Sequence, residues 1–292
     1  MTNSNFPTSF AEVEGWSNQE GIPVLEGRSK YIQFLTLKAI ADSSSLRREL
    51  VFKGGNALEF IYLENRATTD LDFTYLSAPG DLDVLKESLG ERLSTALQRS
   101  DDGVGTVIRL QRIDQQPRGK DRTRVTYKVR IGWAAPGQER QRQLLLDGKP
   151  GAQIIDLDIS VNENVCAYDE TLLRDISHPL KVSTIEDIVA EKLRAILQQP
   201  VRRRHRNQDI LDIAMIYRNL DPDVALISQF LPAKCQNRDI DPTKSAFRDP
   251  EVRERSEFGY DALRDTVRHT FIPFDEAWAA VISLVDSLDI PD

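Results

Sequence analysis

Cysteine is almost missing from this chain. Only Cys166 and Cys235 occur in 292 residues, in unrelated contexts, so the sequence offers neither a disulfide framework nor a zinc site. Long apolar runs are missing too: nothing approaches the roughly 18 consecutive apolar residues of a membrane helix. The opening Met1-Thr2-Asn3-Ser4-Asn5 has neither the charged nor the apolar region of a signal peptide. A cytoplasmic protein with no membrane partner is expected. Positive charge is in deficit, with 38 Lys and Arg against 46 Asp and Glu. The formal net charge of −8 excludes a protein that coats nucleic acid without specificity, because such binding rests on neutralising phosphates. Internal repeats, low-complexity tracts and long flexible linkers are not found either. What is present is 40% hydrophobic and 29% charged residues, in a chain long enough to bury a real core.

Apolar spacing predicts helices over residues 27–41 and 82–97. Strands are expected at Leu50-Val51-Phe52, at Asp70-Leu71-Asp72-Phe73, and over residues 104–113, 123–131 and 153–161. In the fourth of these, Val125, Tyr127, Val129 and Ile131 share one face while Arg124, Thr126, Lys128 and Arg130 make the other cationic. In the fifth, Ile155, Leu157, Ile159 and Val161 oppose Asp156, Asp158 and Ser160. Beyond Ser183 the pattern turns helical. Ser183 and Glu186 form a capping-box pattern ahead of a stripe of Ile185, Ile188, Val189, Leu193 and Ile196. A helix over 208–220 should bury Ile210, Ile213, Ala214 and Tyr217, and a last one runs over 274–288. Residues 235–257 read as a polar, charged segment. The expected organisation is α+β: residues 1–175 form a core with a mixed sheet, and residues 176–292 form a mainly helical part that completes a cleft.

Two short stretches carry chemistry. Gly54 and Gly55 sit between a strand and the helix beginning near Asn56, where glycine lets backbone approach a ligand and the helix end presents unsatisfied N–H groups, a geometry suited to phosphate. A plain tight turn has the same sequence. Asp70 and Asp72 alternate on a strand and so project to one side, where two carboxylates repel unless a cation lies between them. Mg²⁺ accepts such a pair and keeps positions for water and substrate phosphates. A solvent-facing strand end would also tolerate the pair. Asp158, with Asp156 beside it on the same face, supplies a third carboxylate, or a solvated strand face. Lys192 falls on the apolar stripe of its helix, so its ammonium must snorkel or meet an anion. Asp209 lies at the margin of the next buried stripe, with Asp212 one turn on. Just ahead stands the run Arg202-Arg203-Arg204-His205-Arg206, a basic patch or a solvated loop.

Read in order, "KGGNALE", "RATTDLDF", "IDLDIS", "EDIVAEKLRAI" and "RHRNQDILDI" resemble the successive motifs of the AbiEii-like nucleotidyltransferase toxins of type IV AbiE and MenAT toxin–antitoxin systems. These are a branch of the polymerase β-type nucleotidyltransferase superfamily, and the resemblance covers roughly residues 52–220. It implies a polymerase β-type nucleotidyltransferase core, with Gly54, Gly55 and Asn56 in the triphosphate loop, and Thr69 and Arg66 just before the metal pair Asp70 and Asp72. Asp158 would be the third metal carboxylate, although Asp156 stays open. Lys192 would meet the triphosphate and Asp209 would be a later catalytic aspartate. Arg66, Arg204 and Arg206 are the candidate nucleic-acid contacts. The implied reaction moves a nucleoside monophosphate from an NTP to a hydroxyl, with one or two Mg²⁺ ions. In MenAT-type members the acceptor is the 3′ end of tRNA, and a cognate antitoxin is the expected partner. The alternatives are a nucleotidyltransferase for a small-molecule or protein hydroxyl, and a catalytically silent scaffold that binds a partner.

Overall fold

The structure is a computed structural model and describes residues 5–63, 67–77, 80–101, 103, 105–117, 125–236, 238 and 240–292. Two compact units divide the chain: one holds residues 1–64, 68–163 and 169–182, the other residues 65–67, 164–168 and 183–292. No helix among the described residues is long and apolar enough to cross a membrane.

A mixed sheet dominates the first unit. Its strands are β1 (Leu50–Lys53), β2 (Leu71–Tyr75), β3 (Val107–Gln116), β4 (Thr126–Ala134), β5 (Gln153–Ser160), β6 (Tyr168–Thr171) and β7 (Leu180–Ser183), in the order β3-β4-β5-β2-β1-β7-β6. β2 runs parallel to β5 and β1 to β7, while β1 with β2, β3 with β4, and β4 with β5 are antiparallel. Alternation sets the faces. Leu71, Phe73, Tyr127, Val129, Ile131, Ile155, Leu157 and Ile159 are all buried, and each large apolar side chain removed from water contributes about 1.5–3 kcal/mol. Helices Val24–Asp42 and Leu82–Arg99 pack on the sheet and on each other. The Tyr127 hydroxyl donates to the Leu82 carbonyl at 2.6 Å, which marks the apolar face as the one they cover. Beneath β1 and β2, Phe6, Phe60, Phe52 and Phe73 make successive ring contacts at 4.7, 6.4 and 5.2 Å between centroids. The polar face is left for the aspartates.

Several expected boundaries move. β3 and β4 begin three residues later than the sequence pattern suggests. Before β3, Gly103 and Gly105 both take positive φ, which extended backbone does not allow. At its far end β4 continues through Gly132, because a Cβ there would lie 1.9 Å from Gln111 Nε2 and glycine leaves that room. Arg124, expected on the cationic face, lies outside the described residues. β6 and β7 have four residues each, too few for a readable period, and the helices Val13–Glu20 and Glu139–Leu146 were likewise not expected.

The second unit is helical. Helix Val224–Gln236 packs on Ile185–Leu197, which packs on Asn207–Asn219, which packs on Phe274–Ser287. The cap of Ile185–Leu197 is Thr184, whose hydroxyl accepts from Asp187 N at 3.3 Å, so the Ser183–Glu186 capping box is displaced by one residue. Ser183 is instead the buried last residue of β7. Tyr217 is exposed rather than on the buried stripe, which Met215 and Ile216 extend in its place. Residues 235–257 are not a plain polar segment either. They contain the helices Lys244–Phe247 and Pro250–Glu257, the latter capped by Asp249, whose carboxylate accepts from Glu251 N at 2.8 Å.

Candidate active site

Strand register builds a row of charge across the polar face. Lys53 of β1 lies opposite Asp72 of β2, Asp72 opposite Asp158 of β5, and Asp158 opposite Lys128 of β4. Two carboxylates therefore stand side by side with a lysine on each flank. Lys53 Nζ pairs with Glu163, which also accepts from the Thr74 hydroxyl at 3.3 Å, and Lys128 Nζ pairs with Asp158 Oδ2. Asp156 is opposite Arg130, 3.5 Å away, so register gives Asp158 and not Asp156 to the strand pair that carries Asp72.

The cluster is electrostatically unfavourable by itself. Burial pushes the Asp72 carboxyl up to about 6, Asp158, Asp70 and Glu163 push the same way, and Lys53 only partly offsets them. Asp70, just before β2, is also raised, by partial burial of its carboxyl and by Asp156 and Asp158, against the Thr69 hydroxyl and Lys128. Asp158 Oδ1 is buried and accepts no hydrogen bond. Among the described residues no three His, Cys, Asp or Glu make a metal cage by themselves. An orphaned carboxylate oxygen beside a second, crowded carboxylate nevertheless fits Mg²⁺, which binds one or two carboxylates and completes its shell with water and phosphate.

Gly54 brings the turn against this pair. It has φ +74, and a Cβ on it would lie 2.5 Å from Asp72 Oδ2. Gly54→Ala should therefore cost about 1–2 kcal/mol of stability for the left-handed backbone. It should lower nucleotide transfer far more, about 10²-fold, through the displaced carboxylate. Urea unfolding and single-turnover incorporation measure the two, and near-parental transfer would remove Gly54 from the site. After the glycines, the helix Gly54–Ala57 widens into a π-helical turn, Leu58–Tyr62.

Asn56 faces the backbone that leads into β2. Its side chain is fully buried, with Nδ2 donating to the Thr68 and Asp70 carbonyls at 3.2 and 2.7 Å and Oδ1 accepting from Lys30 Nζ at 3.2 Å. The side chain thus supports the strand that carries the aspartates. Thr69 is exposed and its hydroxyl donates to Asp70 Oδ1 at 3.1 Å. Arg66 lies outside the described residues. Lys53 and Glu163 were not singled out in the sequence, and Lys128 only as part of a cationic strand face; register puts the two lysines beside the pair, and the ion pair with Lys53 brings in Glu163.

In the second unit Lys192 is buried, and its Nζ donates to Asp209 Oδ1 and Asp212 Oδ2, each at 2.8 Å. Burial alone would lower this ammonium's pKa; the two carboxylates more than reverse that and hold it above its ordinary value. Arg206, half-buried, sits 3.8 Å from Asp209 Oδ2, so its guanidinium extends this group. Arg202, Arg203 and Arg204 are exposed, and beside them His205 stacks on Phe258 with centroids 4.4 Å apart.

A mixed sheet with a Gly-Gly turn pressed against paired aspartates, followed by a helical unit, is the layout of a nucleotidyltransferase. The fold agrees with a solved structure of a candidate nucleotidyltransferase from H. pylori, at TM-score 0.51 and 15% identity, covering 91% of this chain and 95% of that one. JHP933 from Helicobacter pylori is similar at TM-score 0.49 and 15% identity, with 90% of each chain covered. No curated protein matches the sequence. The family is more particular than the fold: residues 36–280 match the nucleotidyl transferase AbiEii toxin of type IV toxin–antitoxin systems, and the chain belongs to that family. The match extends on both sides of the stretch whose motifs carry the resemblance.

Proposed function

We propose that this nucleotidyltransferase toxin is Mg²⁺-dependent and transfers a nucleoside monophosphate from an NTP to the 3′-terminal hydroxyl of tRNA, which would block translation. The acceptor oxygen forms a bond to the α-phosphorus, the bond from that phosphorus to the bridging oxygen breaks, and pyrophosphate leaves. The hydroxyl proton passes to a carboxylate of the cluster. Asp70, Asp72 and Asp158, completed by water and phosphate, would hold the metal, which when bound would neutralise charge developing on the phosphates. Gly54 and Gly55 give the triphosphate close access to backbone, and Lys192 and Asp209 keep the roles that the family resemblance gives them. The observation that carries this reading is the orphaned Asp158 Oδ1 next to Asp72, in a chain of this family.

An RNA acceptor is supported by the exposed guanidinium groups of Arg202, Arg203 and Arg204 beside Phe258, which is 66% exposed and stacked on His205. Basic groups meet phosphates, and a ring with a free face stacks on an unpaired base. An antitoxin is the partner that family membership implies, and the acidic remainder of the surface suits a basic one. The deciding assay supplies Mg²⁺, each α-labelled NTP in turn, and total tRNA or none. Label on tRNA supports the proposal; pyrophosphate release without labelled RNA moves the acceptor to a small molecule or a protein hydroxyl. Changing Arg202, Arg203 and Arg204 together to glutamine should flatten the dependence of log RNA affinity on log salt by about 2 for a single-stranded end. An unchanged slope would take the patch out of acceptor binding.

A further inference from the structure

Three polar side chains from two helical segments bond the backbone of residues 68–70, and a fourth, Lys30, bonds two of the three. Lys30 and Gln33 lie one turn apart on helix Val24–Asp42, and Asn56 and Glu59 lie one turn apart after the Gly-Gly turn. They are 4, 3, 0 and 3% exposed. Gln33 Nε2 donates to the Thr68 and Thr69 carbonyls at 3.0 and 2.7 Å. Asn56 Nδ2 donates to the Thr68 and Asp70 carbonyls, and Thr68 N donates to Glu59 Oε2 at 3.1 Å. Lys30 Nζ closes the set, 2.8 Å from Glu59 Oε1, bonded to Asn56 Oδ1, and 3.7 Å from the centre of the Phe60 ring.

A buried ion pair is a poor way to gain stability, since apolar side chains of the same volume serve as well or better. Here the pair and its two amides all serve the backbone that leads directly into Asp70. We propose that Lys30, Gln33 and Glu59 are positioning residues for the transfer reaction: they fix residues 68–70 and so set how the Asp70 carboxylate meets the metal-bound nucleotide. This rests on the reading of Asp70 as a metal ligand given above. Lys30 and Gln33 lie outside the quoted motifs and Glu59 is the last residue of KGGNALE, and loss of such outer partners typically lowers metal affinity or activity 10- to 100-fold.

The test uses Gln33→Met, which removes two neutral hydrogen bonds, and a second variant, Lys30→Met with Glu59→Leu, which removes the pair together with the acceptor for Thr68 N–H. Mn²⁺ binding with a non-hydrolysable NTP, followed by electron paramagnetic resonance, is read beside amide exchange at residues 68–71. Each folded variant should bind Mn²⁺ about 10- to 100-fold more weakly and exchange those amides faster. The NTP KM should change less than kcat. In an Asp70→Asn background, Gln33→Met should weaken Mn²⁺ no further, because it acts through Asp70. Either folded variant keeping parental Mn²⁺ affinity and amide exchange overturns the positioning role. If Asp70→Asn alone leaves Mn²⁺ affinity unchanged, the assignment of Asp70 as a ligand fails instead, and the proposal with it.

Discussion

Asp72→Asn should abolish most nucleotide transfer, by about 10²- to 10³-fold, while leaving the protein at least as stable at pH 7.5. The two effects have one cause. Asp72 is crowded by Asp158, Asp70 and Glu163 and is held up to about 6 by burial and by that crowding, so its ionised form is disfavoured in the folded protein. Asparagine removes the charge that a metal held there would need and, with it, the repulsion among these carboxylates. The pH dependence has a definite sign. Between the ordinary carboxylate value of 3.8 and about 6 the folded protein holds a proton that the unfolded chain has released, so this group's contribution falls as pH rises through that window. Urea unfolding from pH 4 to 7.5 should show that slope in the parent and a flatter one in Asp72→Asn. Mg²⁺ should raise the parental melting temperature at pH 7.5 and barely at pH 5. Transfer by the variant at parental rates, or an equal Mg²⁺ effect at both pH values, would show that Asp72 is not a ligand.

Lys192→Met should be the most destabilising of the substitutions considered, by about 3–5 kcal/mol, because it leaves Asp209 and Asp212 buried with their principal cation gone. Both carboxylates lie 2.8 Å from Nζ, and Asp209 also has Arg206 at 3.8 Å. Adding Asp209→Asn and Asp212→Asn to Lys192→Met neutralises the group and should restore much of the loss, which separates stability from catalysis. Denaturant midpoints decide the first point. Transfer by the refolded triple variant decides the second, since a catalytic role for Lys192 or Asp209 predicts that stability returns and activity does not. A single variant as stable as the parent would mean that the buried triad contributes little.

The sequence shows more of the site's composition than of its assembly. Gly54, Asp70 and Asp72 stand out because a turn and a two-residue alternation are local properties of the chain. Asp156 and Asp158 share one strand face, and only pairing with β2 and β4 separates them, giving one to Asp72 and the other to Arg130. Lys192 was legible as an ammonium on an apolar stripe that needs an anion. In this structure the anions are Asp209 and Asp212, partners from another helix that spacing alone does not name. The long helices were visible from apolar spacing, whereas β6 and β7 are recruited to the sheet by tertiary pairing. The cap moved from Ser183 to Thr184 because both residues are followed, three positions on, by an acid, and the end of β7 takes Ser183.

The sheet order also says when the enzyme comes into being. A nascent chain leaves the ribosome with β1 and β2 already able to pair, yet β2 must wait for β5 at residues 153–160, and β1 for β7, which joins residue 51 to residue 181. Such distant parallel pairings close late, after the loop entropy between them has been overcome. Until then Asp72 has no Asp158 beside it. A partly made chain therefore carries the motifs of a toxin without the assembled cluster, and its synthesis can proceed well past β2 before the product is able to act.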